Sequence, residues 1–162
     1  AQALAEEMIP NSNYTSSLMF GIQWDLVCKF LEVKGGLATA DINSNSSNWG
    51  NYNNAERTIT SDKAKQKGRP WTVITGKKTA NSSSLLTAGA TEETNKMNIY
   101  DFAGNESEWT LEHATSSSNY PCADRGGNYG DAGSGYPASE RINFYTTDAD
   151  SVIGFRSALY VN

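Results

Sequence analysis

The 162-residue sequence predicts one loop-rich domain of the α+β or β class. Three observations carry that prediction. One amphipathic stretch lies between Leu18 and Val33. A short β-branched run, Trp71-Thr72-Val73-Ile74-Thr75, is a strand candidate. Segments dominated by Asn, Ser, Thr and Gly fill much of the remainder. So little helical periodicity does not suit a helical bundle.

Taken in order, residues 1–9 have strong helix propensity and run into Pro10, which reads as a stop. They suit either the tail of a longer helix or a chain end that frays. Residues 11–17 read as a polar loop, with Ser17 a candidate cap for the helix that follows. In that helix Phe20, Trp24, Val27 and Leu31 fall on one face, and Gly35-Gly36 ends it. Trp24 therefore reads as core rather than as a ligand platform. Residues 41–55, with Trp49-Gly50-Asn51-Tyr52 at their centre, are too polar to fold alone and read as a long loop laid over a scaffold. Lys63, Lys65, Lys67 and Arg69 read as a solvated face rather than a phosphate site.

Composition removes several function classes. The formal net charge is −5, with no basic patch to neutralise a nucleic-acid backbone. No run of apolar residues is long enough for a membrane span, and the first residues do not read as a secretory leader. Cys28 and Cys122 belong to no paired-cysteine metal motif, and His113 has no second imidazole beside it. The two thiols suit either one disulfide or, by default, two buried free cysteines. The sequons at Asn13, Asn45, Asn81 and Asn105 are expected by chance in so Asn- and Ser-rich a chain.

The C-terminal third reads as a frame with interchangeable contents. Arg125-Gly126-Gly127 opens the frame and Gly154-Phe155-Arg156 closes it, with Pro137-Ala138-Ser139 and Thr146-Thr147 between. Its contents are Tyr129, Gly130, Asp131, Tyr136, Ile142, Asn143, Phe144, Tyr145, Asp148, Asp150 and Val152. They mix aromatic, acidic and aliphatic residues with neither helical nor strand period, a composition closer to a binding surface than to core or solvated loop.

A second motif, Tyr100-Asp101-Phe102-Ala103-Gly104-Asn105-Glu106-Ser107-Glu108-Trp109, precedes that frame. Together with Arg125-Gly126-Gly127 and Gly154-Phe155-Arg156 it resembles the formylglycine-generating enzyme family, sulfatase-modifying factors of C-type-lectin-like fold. Trp24-Asp25 is similar to the Trp-Glu of that family's early helix. The resemblance implies an α+β fold of two helices on small twisted antiparallel sheets with long loops. It would make residues 10–162 a single domain behind a helical lead-in over 1–9. Asp101 and Asn105 around Gly104 suit a tight turn, and Trp109 and Phe155 suit apolar anchors. Glu108 and Asp101 are the expected partners of Arg125 and Arg156.

The family's oxidase chemistry does not carry over. Its cysteine pair would fall at Ala138 and near Gly133, and neither residue offers a nucleophile or redox centre. No cofactor is then required. The resemblance also implies a structural Ca²⁺ at Asp101, Gly104, Glu106 and Glu108, whose oxygens suit a hard cation. Ser107 stands where the family usually has Trp.

The same fold serves the variable proteins of diversity-generating retroelements, whose C-terminal segment is rewritten at template adenines. Tyr129, Gly130, Asp131, Gly135, Tyr136, Ile142, Phe144, Tyr145, Asp148, Asp150, Ser151 and Val152 are each reachable from an Asn codon by changing adenines alone. Asn143 would be an unchanged survivor, and Glu140 requires a Lys codon instead. The expectation is a display domain on a cell surface or virion, with a variable region over 128–152 that binds an external macromolecule, foremost a protein. The acids favour a partner carrying Lys or Arg. Two rivals are a carbohydrate-binding module centred on Tyr136, and an enzyme using Glu140, Arg141 and Tyr145.

Overall fold

In the computed structural model, residues 1–9, 13–115 and 118–162 are described. Three helices and twelve strands are found among them. The helices are α1 (Gln2–Glu7), α2 (Gly21–Val33) and α3 (Thr39–Asn43). The strands are β1 (Tyr14–Leu18), β2 (Arg57–Thr58), β3 (Lys65–Gln66), β4 (Thr72–Val73), β5 (Lys77–Lys78), β6 (Asn95–Lys96), β7 (Ile99–Tyr100), β8 (Ser107–His113), β9 (Cys122–Arg125), β10 (Arg141–Phe144), β11 (Ile153–Gly154) and β12 (Ser157–Val161). This is the expected α+β class, with small sheets and much loop. One departure is the parallel pairing of β11 with β8 inside a four-stranded sheet of order β10-β9-β8-β11.

Much of the expected polar loop before α2 is a strand. β1 pairs antiparallel with β12 from Tyr14↔Val161 to Leu18↔Ser157. Ser16 is buried there because its hydroxyl donates to the Glu6 carbonyl (3.2 Å). The α1 segment is docked on this strand: Ala5 is fully buried, and Gln2 Oε1 accepts from the Leu18 amide (3.1 Å). The stop expected at Pro10 lies outside the described residues.

Helix α2 buries Trp24, Cys28 and Leu31, with Val27 only half-buried at the edge of that face. Phe20 does not join them. It precedes the helix in extended conformation, its amide donates to Gln23 Oε1 (2.8 Å), and its ring turns outward. That contact caps the helix in place of Ser17. At the other end Gly36 takes a φ of +72° and releases the chain.

Residues 41–55 are not merely laid over the scaffold. Trp49, Asn51 and Tyr52 are buried, and Trp49 and Tyr52 join Trp24, Leu31 and Phe102 in the main core. A loop can enter a core only if its backbone carbonyls find donors. Arg57, itself buried, donates to the Gly50 carbonyl from Nε (3.1 Å) and Nη2 (2.6 Å). Buried Lys78 donates to the carbonyls of Tyr52 and Ala55. Its own burial, and then the charge of Arg57, push the Lys78 ammonium down to about 8.

Candidate ligand-binding face

The frame is built from turns that only small or amide side chains can make. Gly104 has a φ of +69°, and a Cβ there would stand 2.5 Å from the Asn51 carbonyl oxygen. Asn105 follows at φ +65° and ties three segments: its Oδ1 accepts from Asn51 Nδ2 (2.9 Å) and the Leu86 amide (3.1 Å). Trp24 stacks on Phe102 at 3.9 Å and donates from Nε1 to the Ala138 carbonyl (2.9 Å). Gly127, at φ +67°, lets the chain pass the Tyr136 carbonyl, 2.5 Å from where a Cβ would lie.

The two frame arginines have different partners. Arg156 grips Glu108 through Nε–Oε2 and Nη2–Oε1 (2.6 Å), and it reaches the Asp101 carbonyl rather than its carboxylate (3.3 Å). Arg125 is buried and pairs with Asp25 (2.6 Å) and Glu112 (3.1 Å), not with Glu108. Arg125 and Glu108 are cross-strand neighbours, yet Arg125 extends over α2, where Asp25 waits. Both cysteines are free: Cys28 is buried, which pushes its thiol up to about 11, while Cys122 is half-buried.

None of the expected contact residues is fully buried. Tyr136 is 39% exposed and Tyr145 46%, while Ile142 and Phe144 are half-buried on β10. Ile142 faces Asp124 across the β10–β9 ladder, and Asp124 in turn faces Trp109 on β8. Phe144 meets the edge of Trp109 at 5.6 Å. Arg141 points the other way, paired to Glu112 (2.5 Å) and Asp25 (3.5 Å). Thus Ile142, Phe144 and Trp109 lie on the sheet face opposite α2.

The neighbouring loops are held by their own acids and amides. Asp131 Oδ2 accepts from the Asn128 amide (3.0 Å), and Asn53 Nδ2 donates to the Gly130 carbonyl (2.7 Å). Asp148 Oδ2 accepts from the Tyr145 amide (2.9 Å), and Asp150 Oδ1 from the Val152 amide (3.2 Å). Tyr145 and Tyr120 pack at 4.4 Å and join hydroxyls at 3.0 Å. Cavities of about 430 and about 260 Å³ open around Trp109, between α1 and the segment from Tyr145 to Asp150.

The expected residues do not form one tight cluster. Tyr145, Asp148 and Asp150 rim the Trp109 cavities. Tyr129 and the 151–152 segment meet beside Lys67, which donates to the Ser151 carbonyl (2.9 Å) and lies 5.8 Å from the Tyr129 ring centre. Gly130 and Asp131 dock on Asn53. Glu140 gives its carbonyl to Arg125 Nε (2.9 Å), so Glu140, Arg141 and Tyr145 serve separate partners rather than one reactive centre. Sequence reasoning did not bring Lys67 or Tyr120 to this face. Neither carries a local signal: Lys67 arrives from a loop remote in sequence, and Tyr120 sits just before β9 with no periodicity to mark it. Asp124, under Ile142, was also missed. Burial foremost pushes its carboxyl up to about 7, the charge of Asp131 adds to that, and its Oδ1 has no hydrogen-bond partner.

Two of the four residues implied for calcium already have partners. Arg156 occupies both oxygens of Glu108, so a cation there would meet a guanidinium. Asp101 Oδ2 accepts from the Gly89 amide (2.9 Å), and among the described residues no three His, Cys, Asp or Glu converge to hold a metal.

The frame leaves aromatic and acidic residues of its C-terminal segment exposed or half-buried, and comparison supplies the chain's kinship. The chain belongs to the sulfatase-modifying factor enzyme 1-like domain family, whose pattern matches residues 30–161. Two solved structures share the fold. Treponema denticola variable protein 1 has 18% identity and a TM-score of 0.54, with 93% of this chain and 49% of that one covered. The crystal structure of CarF has 16% identity and a TM-score of 0.57, with 95% and 49% covered. The chain thus spans about half the length of these solved structures. No curated protein matches it. No helix among the described residues is long and apolar enough to cross a membrane.

Proposed function

We propose that this is a non-enzymatic display domain of C-type-lectin-like architecture, a retroelement-diversified variable protein that binds an external protein through residues 129–152. One observation carries the reading. Tyr136, Tyr145, Ile142 and Phe144 reach solvent from a frame whose own side chains are locked by buried hydrogen bonds and ion pairs. Such a frame loses little entropy on docking, and tyrosines supply contact area with few rotatable bonds. The name of one solved relative, a variable protein, supports the same reading. A buried methyl at Ala138 and a Gly133 without room for a side chain leave no nucleophile where the family's oxidases have theirs. Asp131, Asp148 and Asp150 favour a partner rich in Lys or Arg, and a nucleic acid would be repelled. The site of action is then outside the cell or on a virion.

Sister copies of the gene test the proposal. Substitutions should gather at adenine-derived codons within 128–152 and leave Arg125–Gly127 and Gly154–Arg156 unchanged. Changes spread evenly along the chain would end the retroelement reading.

A further inference from the structure

Helix α2 carries apolar side chains on two opposite faces. Trp24, Cys28 and Leu31 point into the core. Ile22, Leu26, Phe30 and Val33 point out and are 66%, 62%, 42% and 60% exposed. With 3.6 residues per turn these four fall within an arc of about 80°, opposite the buried row. An apolar row on both sides is the pattern of a helix that is covered on both sides. The outward stripe presents on the order of 400 Å² of apolar surface, the size at which a patch on one subunit is commonly a contact surface.

We propose that this stripe is covered by the same stripe of a second copy of the chain, the two α2 helices running antiparallel about a twofold axis close to Leu26. The flanking charges favour a second copy. One edge of the stripe carries Asp25 and Lys29, in that order. Asp25 is fixed there by Arg125 and Arg141, yet its side chain stays 47% exposed, and Lys29, paired to Glu32 on its own helix (2.6 Å), is 67% exposed. Antiparallel apposition brings like edges together with their order reversed. Ile22 then packs on Phe30 of the second copy, and each Lys29 faces the other copy's Asp25. A parallel twofold pairing would set this edge against the opposite edge of the stripe, and no Asp25–Lys29 pair would form.

Area sets the strength. About 400 Å² per partner is roughly half of what a stable complex buries, so the dimer is weak and concentration-dependent. The contact lies on the α2 side of the four-stranded sheet, and Ile142 and Phe144 lie on the other. Both proposed binding faces stay free, and two on one particle raise avidity for a repetitive target. The dimer does not rest on the reading of residues 129–152.

Sedimentation of the purified chain from about 5 to about 500 µM tests the dimer, at concentrations bracketing a weak association. The mass should rise from the 17.6 kDa of one chain toward twice that value. Leu26→Glu, and separately Ile22→Glu, should hold the chain monomeric with unchanged circular dichroism and melting temperature. Lys29→Asp should weaken association about tenfold or more, because it sets two acids together. A wild-type mass that stays monomeric throughout overturns the proposal and leaves the stripe to a different partner. A dimer that survives both glutamate variants overturns it equally, since another face must then be responsible. Association left intact by Lys29→Asp overturns the antiparallel arrangement.

Discussion

Arg156 closes on Glu108 with two parallel hydrogen bonds inside a site where the carboxylate is almost wholly buried. Burial foremost pushes the Glu108 carboxyl up, the Arg156 guanidinium opposes it, and the charges of Asp101 and Glu106 add to the rise. Removing one partner leaves the other charge buried and unpaired. Arg156→Ala should therefore destabilise the fold by about 3–5 kcal/mol. Glu108→Gln, which keeps the shape and lowers the charge, should cost clearly less than Arg156→Ala. Urea unfolding of both variants checks the order; equal small losses would show that the pair holds nothing together.

The same grip bears on metal dependence. Because Arg156 already neutralises Glu108, the melting temperature should be the same in EDTA as in millimolar Ca²⁺. A rise of several degrees with calcium would mean that the ion displaces the guanidinium.

Asp124 makes stability depend on pH. Its folded carboxyl titrates near 7, above the unfolded value of about 3.9. The folded state then holds a proton that the unfolded chain has already released. Its contribution is complete below about pH 4 and is lost as pH rises through about 7, up to about 4 kcal/mol in all. Asp124→Asn removes this titration. The stability difference between wild type and variant should shift in favour of the variant from pH 4.5 to 7.5, measured by urea midpoints. A difference that is flat with pH would refute the assignment.

Frame and contents should answer differently to glycine replacement. Gly104→Ala combines a positive φ with a backbone oxygen 2.5 Å from the new Cβ, and should cost on the order of 2–3 kcal/mol. Gly135→Ala, whose nearest contact is an ordinary 3.7 Å, should change stability by less than about 0.5 kcal/mol. Thermal melts of the two variants compare them directly.

Aromatic substitutions should divide the same way. Tyr136→Ser and Tyr145→Ser lie at exposed positions and should each cost no more than about 1 kcal/mol, the latter losing only its contact with Tyr120. Trp24→Ala, in the core, should cost about 3–5 kcal/mol. Losses at Tyr136 as large as at Trp24 would mean that the face serves the fold rather than a partner.

Several of these features were legible in the residues alone. The apolar spacing of α2, the turn chemistry around Gly104 and the missing thiols at Ala138 and Gly133 are local properties, and local properties survive in a linear sequence. Trp24 was recognisable as core for the same reason, and burial of Cys28 matched the default for a free thiol, although the helical spacing alone gave its place on the stripe to Val27. The face around Trp109 was half legible: residues 129–152 stood out, whereas Lys67, Tyr120 and Asp124 did not.

What the sequence determined by itself was the α+β class, the main helix, the turns of the frame and the composition of the exposed face. Tertiary structure alone decided that residues 14–18 form a strand, because its partner is β12 at the far end of the chain. It also decided that Trp49 and Tyr52 enter the core, since that burial depends on carbonyls capped by Arg57 and Lys78. It gave Arg125 to Asp25 and Glu112 and left Glu108 to Arg156. The physical reason is common to all three. A donor or charge is satisfied by whatever the folded chain brings within about 3 Å, and no periodicity in the sequence records a partner that distant.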